Sequence, residues 1–505
     1  MPKPRRNVAR TVLLSLALIL GLPLLIYAIL LVRFYAGSPN VARNYMQELN
    51  DALPTEGEQA WPGMLAALST QHQAPEDVRA ALDRTGYNFA ELTQDAAAWL
   101  AAHPDHVPSI RAAAHTPRLG VRFTDAPDAE YARALNQQLS PQEPSENPLL
   151  WAVLLPHLSV TRDQARTLAA HSTIAAELGH ADEVIANVRA IVALAEHANN
   201  PPFYISQLVR AQIISIAADT TIRMVHQHPE RFTPEQLDEL DRVLGSIDPN
   251  TLTPDMSHEH LGFDDVVQRI YTDNGRGNGR LTPEGVRLLN EIEGFYPELI
   301  PAWAQFTLSA PIFAAAYPSR RALTGRYYAY MDQVKERLAT PIWQWEAVTE
   351  REDPHVRAEK LGWLAWREQM ILAWIPAHLH GGVQNERARV ILEGSRVALA
   401  LHRYRAEQGR YPDTLEQLTP RWLDALPPDR ATGEPLVYRL TNDAPLLYSV
   451  GLDRIDEGGR HAEEAWRRWR PKPASGTPEP LGDFRLYPPR PIPPPEPPIC
   501  ALPES

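Results

Sequence analysis

The sequence feature that most constrains this chain is an uncharged apolar stretch close to its N-terminus. Residues Thr11 to Val32 read TVLLSLALILGLPLLIYAILLV and include no charged side chain. An α-helix needs roughly 20 apolar residues to cross the hydrocarbon core of a bilayer. Gly21 and Pro23 lie inside the stretch, but membrane helices tolerate such residues. The sequence therefore predicts a transmembrane helix at 11–32, with the rest of the chain attached to it.

The charges around this stretch predict its orientation. The first acidic residue of the chain is Glu48, and the residues before the stretch include Lys3, Arg5, Arg6 and Arg10. Because basic residues are retained on the cytoplasmic side, residues 1–10 should form a cytoplasmic tail and the chain beyond the helix should be extracytoplasmic. The alternative is a cleaved signal peptide, whose apolar region is usually about 7–15 residues long and ends in a small-x-small site. The exit sequence FYAGSPN does not offer such a site.

The overall charge and the single cysteine exclude several classes of function. The 505-residue chain carries a net charge of −13, so repulsion from phosphate opposes nucleic-acid binding. Cys500 alone cannot form an intrachain disulfide or a cysteine-based zinc site. The sequence contains no G-x-S-x-G elbow, P-loop or H-E-x-x-H motif. It therefore assigns no reaction to the chain.

Residues 37–384 are expected to form an α-helical extracytoplasmic region. Apolar residues recur at helical spacing through much of this region, and strand signals are rare. The predicted helices are at 75–83, 92–102, 129–138, 162–178, 183–197, 203–226, 264–271 and 283–293. Thr233-Pro234-Glu235 predicts the start of a further helix. The pattern does not distinguish one domain from two.

The pattern changes at residue 385. An amphipathic helix is predicted at 385–407 and a short helix at 414–418. Strands at 436–440 and 446–450 flank a TNDAP turn and predict a β-hairpin, and GDFRLY at 482–487 predicts a last strand. Residues 385–490 should thus form a small α+β unit, and 491–505 a proline-rich tail. The expected fold class is mostly α: one N-terminal transmembrane helix, an irregular α-helical domain, and this C-terminal unit.

Three sequence segments of the C-terminal unit carry a family resemblance. They are ALHRYRAEQGRYPDTLEQL, TGEPLVYRL and LLYSVGLDRIDEGG. In this order they resemble the C-terminal domain of the major pseudopilin of type II secretion systems. The resemblance implies a long helix packed on a small antiparallel sheet, and calcium in the loop after the YS-x-G strand.

The N-terminal helix departs from that family. A pseudopilin's apolar helix carries a glutamate and runs straight into its C-terminal domain. Here the apolar helix has no glutamate, and residues 33–384 separate it from the C-terminal unit. The chain therefore does not look like a pilus subunit. As a whole it is similar to bacterial membrane-anchored proteins that carry such a domain at their C-terminus, which implies the bacterial inner membrane.

The loop at 449–459 is the first candidate metal site. By the resemblance, its calcium ligands are Ser449, Asp453, Asp456 and Glu457. Calcium takes six to eight oxygen ligands, and carboxylates in a glycine-rich turn can supply several of them. Arg454 departs from this pattern because its charge can neutralise an aspartate. The alternative is an ion-free loop held by Asp–Arg pairs.

A weaker candidate is the glycine-rich sequence TDNGRGNGRLTPEG at 272–285, between two predicted helices. It has the look of an EF-hand loop, and its weaker metal candidates are Asp273, Asn274, Asn278 and Glu284. However, Gly285 stands where a bidentate glutamate is needed, and Arg276 stands at a ligand position. The alternative is a helix–helix connector without a metal.

These observations lead to one main functional expectation and two alternatives. The main expectation is a structural or interaction protein of the bacterial envelope that contacts the lipid bilayer through Thr11–Val32 and binds other envelope proteins. One alternative is an envelope hydrolase with a site around His258–Asp265. The other is an accessory component of a type II secretion-like system. Calcium is the expected cofactor, if any.

Overall fold

The structure is a computed structural model, and most of its described residues are helical. The described residues are 5–53, 57–85, 93–126, 128–137, 143–273, 275–293, 309–347, 360–362, 367–374, 376–467 and 480–489. The predicted mostly α fold, with one apolar N-terminal helix and a small sheet, is confirmed. The predicted proline-rich tail at 491–505 lies outside the described residues.

The helices up to residue 227 have the following bounds. They are α1 (Arg5–Tyr35), α2 (Tyr45–Asp51), α3 (Trp61–His72), α4 (Glu76–Thr85), α5 (Gln94–Ala102), α6 (His106–His115), α7 (Ala129–Ala134), α8 (Pro156–Glu177), α9 (Ala181–Ala198) and α10 (Tyr204–Gln227). The later helices are α11 (Pro234–Gly245), α12 (Glu259–Ile270), α13 (Pro283–Glu293), α14 (Ala310–Ala316), α15 (Arg320–Ala339), α16 (Gln369–Trp374) and α17 (Pro376–Gln408). Short 3-10 turns include Pro249–Leu252, Leu415–Leu418 and Glu463–Trp466.

Helix α1 contains the whole predicted span and continues beyond it to Tyr35. Among the described residues it is the one helix long and apolar enough to cross a membrane, and only 6% of the stretch Leu18–Tyr35 is buried. Leucines and isoleucines such as Leu18, Ile19 and Ile29 are exposed, whereas Phe34 is 2% exposed and packs into the rest of the protein. The helix is therefore apolar on its outside and fixed to the body at its C-terminal end.

Helices α8, α9 and α10 form the centre of the body and pack against one another. α8 and α9 are joined by a tight turn in which Gly179 adopts φ +77°, a conformation that favours glycine. Many core positions in this pair are alanine, which allows close approach of the two helices: Ala165, Ala169, Ala170, Ala176, Ala190 and Ala195 are all buried. This arrangement explains why the helical periodicity was readable here in the sequence.

Helix α17 connects this centre to the C-terminal sheet, since it packs against α10, α11, β2 and β3. It begins at Pro376, earlier than the predicted start at 385, and it therefore crosses the predicted boundary between the two regions. Two adjacent glycines, Gly381 and Gly382, lie in the additional turns. In the structure these glycines lie where Tyr204 and Leu338 pack against the helix and leave no room for a side chain.

The sheet has three antiparallel strands in the order β1–β2–β3, which are Val437–Thr441, Ala444–Ser449 and Phe484–Tyr487. The β1–β2 turn places Asn442 and Asp443 at φ +52° and +60°, a conformation that Asn and Asp tolerate better than most residues. Strand β3 packs on α17 at Gly394, where an added Cβ would lie 2.7 Å from the side chain of Leu486. The predicted hairpin and last strand are thus present, each shifted by a residue or two.

Candidate functional site

The acidic loop between β2 and β3 is the best-defined candidate site. It leaves the sheet at Ser449, and Gly451 then turns it with φ +75° close to Ala465 and Gly482. Gly459 closes the loop with φ +85° against Leu446. Because both turns need positive φ at close approach, glycine is required at each. The turns hold the acidic residues of the loop next to the start of β3.

Ser449 is fully buried, and its hydroxyl is engaged inside the protein. Its Oγ donates to Asp429 Oδ1 over 2.7 Å. It accepts hydrogen bonds from Gly451 N at 3.2 Å and from Trp466 Nε1 at 3.3 Å. A hydroxyl offers one donor and two acceptor sites, so all three are used. The geometry therefore does not support the predicted role of the Ser449 hydroxyl as a calcium ligand.

Asp429 was missed by the sequence reasoning. It is 1% exposed and accepts hydrogen bonds from Ala431 N and Val450 N, each at 2.9 Å, in addition to Ser449. Burial raises the pKa of this carboxyl, and its hydrogen bonds oppose the rise. Asp429 thus joins the turn before β1 to the end of β2. The sequence signal for it is the PPD element before TGEP, a composition typical of a turn.

Asp453 and Asp456 lie in the loop as predicted, and both receive hydrogen bonds from the protein. Asp453 accepts from Ile455 N at 3.2 Å and from Leu481 N at 2.5 Å. Asp456 accepts from Tyr448 Oη and Arg439 Nη2, both at 2.7 Å. Burial acts to raise the pKa of Asp456, but these bonds and the arginine charge outweigh it, so that the pKa is lowered. An Asp–Arg pair is therefore present, formed by Arg439.

Glu457 and Asp483 each have one carboxylate oxygen without a hydrogen-bond partner among the described residues. Glu457 Oε1 accepts from Gly482 N at 3.1 Å, and Asp483 Oδ2 accepts from Gly459 N at 2.7 Å. The other oxygens, Glu457 Oε2 and Asp483 Oδ1, are buried without a hydrogen-bond partner in the described part of the chain. Burial raises the pKa of both groups, and the negative charge of Asp453 adds to the rise. Asp483 was missed although it directly precedes the predicted last strand.

The loop as it stands is stabilised by backbone N–H donors, by Tyr448 Oη and by arginines. Arg460 Nη2 lies 3.7 Å from Glu457 Oε1, and Arg485 donates to the carbonyl oxygen of Gly459. Within the described ranges no three His, Cys, Asp or Glu side chains are close enough together to hold a metal ion. Calcium requires more oxygens than the two unpaired ones. The two oxygens without a hydrogen-bond partner among the described residues nevertheless leave a negative charge that Arg460 only partly offsets, and burying such an oxygen is costly.

Among the described residues of the glycine-rich loop at 272–285, Asp273 and Glu284 do not belong to a group of carboxylates or histidines that could hold a metal ion. Asp273 accepts from Gly275 N at 2.8 Å and pairs with Arg320 Nη1 at 3.0 Å. Asn278 and Glu284 are exposed, and Asn274 lies outside the described residues. Tyr271 and Leu281 form a short antiparallel bridge that closes the loop. The described part is a closed helix–helix connector with arginines on it.

The titratable side chains of the segment His258–Asp265 contact different parts of the protein. Asp265 is fully buried and accepts from Leu150 N, Gln268 Nε2 and Arg269 Nε at 2.7, 2.8 and 2.9 Å. Asp264 accepts a hydrogen bond from Tyr328 Oη at 2.8 Å. Burial lowers the pKa of His260 and raises the pKa of Asp264, and the charge of each residue opposes the shift of the other. His258 is near Ser257 Oγ at 3.2 Å. Asp265 therefore has a structural role.

Comparison of the chain with protein-family models, with curated proteins and with solved structures finds no match.

Proposed function

We propose that this chain is a membrane-anchored structural or interaction protein of the bacterial envelope. The observation that carries the proposal is the apolar, exposed surface of α1, of which leucines such as Leu18 and Leu24 are 69% and 68% exposed. Soluble proteins rarely expose an apolar patch of this extent, and such patches mark partner or membrane contacts. The length of the helix suits a bilayer core.

The orientation of the proposed anchor rests on charge. Lys3, Arg5, Arg6 and Arg10 precede the apolar stretch, and no acidic residue occurs before Glu48. By the positive-inside rule the N-terminus is cytoplasmic and the helical body is periplasmic. Phe34 and the residues after it pack on the body, so the anchor holds the body close to the membrane surface.

An interaction role is supported by the buried polar groups of the body, which form hydrogen bonds inside the protein. The buried carboxylates of Asp265 and Asp429 accept hydrogen bonds from several backbone and side-chain donors, which stabilise the fold. The C-terminal unit places a three-stranded sheet on a long helix, the arrangement that its resemblance to pseudopilins implies. Contact with secretion-system subunits is therefore the most specific form of the proposal.

Calcium binding by the acidic loop is a second part of the proposal. It is favoured by the unpaired oxygens Glu457 Oε2 and Asp483 Oδ1, which are buried in one loop with Asp453 nearby. A divalent cation would neutralise their repulsion, and backbone carbonyls and water would complete the coordination. Calorimetric titration of the full chain in detergent should give heat with calcium, and Glu457→Gln and Asp483→Asn should each reduce it. No heat with the original protein would end this part.

The anchor proposal is tested by alkaline carbonate extraction of bacterial membranes followed by intact-mass measurement. We expect the full chain, with residues 1–36 still attached, in the membrane pellet. A shortened chain in the soluble fraction would identify a cleaved signal peptide and contradict the proposal.

The interaction role is tested by crosslinking in the same membranes and identification of the partners by mass spectrometry. Recovery of defined envelope proteins supports it, and secretion pseudopilins among them would specify it. A protein that remains uncrosslinked and turns over a substrate would favour the hydrolase alternative.

A further inference from the structure

The membrane-proximal face of the body combines an apolar helix with a group of arginines. Helix α14 packs directly against α1. Ile312, Ala315 and Ala316 lie at i, i+3 and i+4 in α14 and are all exposed, Ile312 to 54%. This spacing puts them on one side of the helix. Ala310 and Ala314 are buried on the opposite side. One face of α14 is therefore apolar and exposed, on a helix that packs against the exposed apolar helix α1.

The chain around α14 is poor in charge. From residue 299 to residue 319 the sequence contains no acidic or basic side chain. The first charges after this stretch are Arg320 and Arg321, at the start of α15. A face without charge that borders basic residues is typical of helices that lie in the interfacial region of a bilayer.

Five arginines lie at the end of α1 or in two segments linked to it, and we refer to them as the arginine collar: Arg33, Arg276, Arg280, Arg320 and Arg321. Hydrogen bonds connect the segments that carry them. Arg280 Nε donates to the carbonyl oxygen of Arg33 at 3.0 Å, and Arg321 Nη2 donates to that of Arg276 at 3.0 Å. The backbone N–H of Arg320 donates to the carbonyl oxygen of Gly279 at 3.0 Å.

The collar is strongly positive within an acidic protein. In residues 33–40, 272–281 and 317–324 there are five arginines and one acidic residue, Asp273, whereas the whole chain has a net charge of −13. Arg33, Arg276 and Arg321 are exposed. Arginine binds phosphate oxygens well because its guanidinium presents several donors in a fixed plane. The glycine-rich loop, whose arginines are unsuited to calcium, is thus suited to an anion.

We propose that the arginine collar and the apolar face of α14 together form a docking surface for the outer leaflet of an anionic bilayer. Ile312 enters the interfacial region while the arginines bind lipid phosphates. The inference rests on the proposed anchor, because α1 brings this surface to the membrane. The packing of α14 on α1 and the positive charge of the collar identify the lipid surface as the occupant. Docking fixes the tilt of the body on the membrane.

The test places an environment-sensitive dye at single cysteines in the full chain, with Cys500→Ser as background. The labelled variants are Leu24→Cys in α1, Ile312→Cys in α14, and Ile205→Cys in α10. Ile205 is a matched control because it is an isoleucine that is 50% exposed, compared with 54% for Ile312. Each protein is reconstituted in phosphatidylcholine vesicles with or without phosphatidylglycerol, and quenching by lipids with a shallow or a deep spin label is measured.

The three positions separate the proposal from the anchor. We expect deep quenching at position 24, shallow quenching at 312 that increases with phosphatidylglycerol, and none at 205. If 24 is quenched and 312 behaves like 205, the docking surface is contradicted while the anchor stands. If 24 is not quenched, the anchor fails and the docking surface fails with it.

Charge variants identify the role of the collar. Arg276→Gln with Arg321→Gln should lower the docked-to-undocked ratio at position 312 by about fivefold for each arginine, the contribution of one basic residue near an anionic surface. The control is Arg410→Gln with Arg421→Gln, which removes the same charge from exposed arginines in the C-terminal unit. Equal effects of the two pairs would contradict the proposal. So would loss of quenching on addition of inorganic phosphate at constant ionic strength, because the ligand would then be free phosphate.

Discussion

Ser449 Oγ donates a hydrogen bond to Asp429 Oδ1 over 2.7 Å, and this bond joins the end of β2 to the turn that precedes β1. Both residues are buried, and Asp429 also accepts from two backbone N–H groups. The contact gives Ser449 a structural role in the C-terminal unit. It also leaves the carboxylates further along the loop as the groups available to an ion.

Substitution of Asp429 and substitution of Ser449 should both destabilise the C-terminal unit, but by different amounts. Asp429→Asn places an amide NH2 where a carboxylate oxygen accepts a hydrogen bond, so we expect a loss of about 2–3 kcal/mol in the free energy of unfolding. Ser449→Ala should cost about 1–2 kcal/mol, because it removes one donor to a buried carboxylate. Urea denaturation of the full chain in detergent measures both. A Ser449→Ala protein of unchanged stability but weakened calcium binding would restore Ser449 as a ligand.

The ionised carboxylate of Glu393 should lower the stability of the folded protein at high pH. Burial raises the pKa of its carboxyl to about 7, and Glu386 adds to the rise while Arg430 opposes it. Its Oε2 is buried without a partner in the described part of the chain. The folded pKa of Glu393 lies above the unfolded value of about 4.3. The destabilisation caused by its buried charge is therefore complete above pH 7 and disappears as the pH falls from about 7 to about 4.3. Glu393→Gln should therefore raise stability by about 1–3 kcal/mol at pH 8 and have little effect at pH 4.

The control for this prediction is Glu386→Gln on the same helix. Glu386 pairs with Arg389 at 2.5 Å and with Arg430 at 2.9 Å, and all three side chains are largely buried. Loss of its charge removes the carboxylate that pairs with two buried arginines, so we expect a loss of several kcal/mol at pH 8. Denaturant unfolding at the two pH values distinguishes the variants. A destabilised Glu393→Gln protein at pH 8 would show that this carboxylate has a favourable partner.

His402 should make the protein less stable in acid. It is buried among His226, Arg405, Tyr411 and Tyr487, which face it from α10, α17, the following loop and β3. Burial lowers its pKa to about 3, and the charges of His226 and Arg405 contribute. Between the unfolded pKa of about 6.5 and the folded value, the unfolded state binds more protons, so stability falls as the pH falls.

The size of this effect can be measured by substitution. His402→Gln removes the titrating group, so the stability difference between the original protein and the variant should shrink by about 2 kcal/mol between pH 7.5 and pH 5. The two proteins should run parallel above pH 7, where the imidazole is neutral in both states. A difference that stays constant down to pH 5 would mean that the ring is protonated in the folded protein.

Two helical glycines should respond in opposite ways to alanine. Gly381 in α17 lies against the buried ring of Tyr204, whereas Gly325 in α15 has no atom within 4 Å of an added Cβ. Gly325→Ala should stabilise by about 0.5–1 kcal/mol because alanine loses less entropy in a helix. Gly381→Ala should destabilise by about 1–3 kcal/mol because the ring must move. Thermal unfolding measures both, and stabilisation by Gly381→Ala would contradict the close packing of α17 on α10.

The elements that the sequence predicts well are those whose signal is local. The charge-free run of α1, the capping sequence Thr233-Pro234 of α11 and the hairpin around TNDAP each appear within a few residues of their predicted place. The first turns of α17, from Pro376, were missed because they are stabilised by packing of Gly381 against Tyr204, which belongs to a helix far away in sequence. Local propensity cannot report such a contact.

The candidate site was predicted only in part for the same reason. Asp453, Asp456 and Glu457 are visible in one short loop. Asp429 and Asp483 contact this region from 20 and 24 residues away along the chain. Their role depends on the pairing of the strands, which determines which carboxylates face the loop. The arginine collar likewise comes from three separate segments and has no sequence motif.

The measurement that tests the central claim most directly is labelling of single cysteines with a membrane-impermeant maleimide in spheroplasts. Arg410→Cys, where the original side chain is 56% exposed, and Asn7→Cys are each made in the full chain with Cys500→Ser. If α1 anchors a periplasmic body, the cysteine at 410 is labelled in intact spheroplasts and the one at 7 only after lysis. Protection of position 410 until lysis would contradict the account.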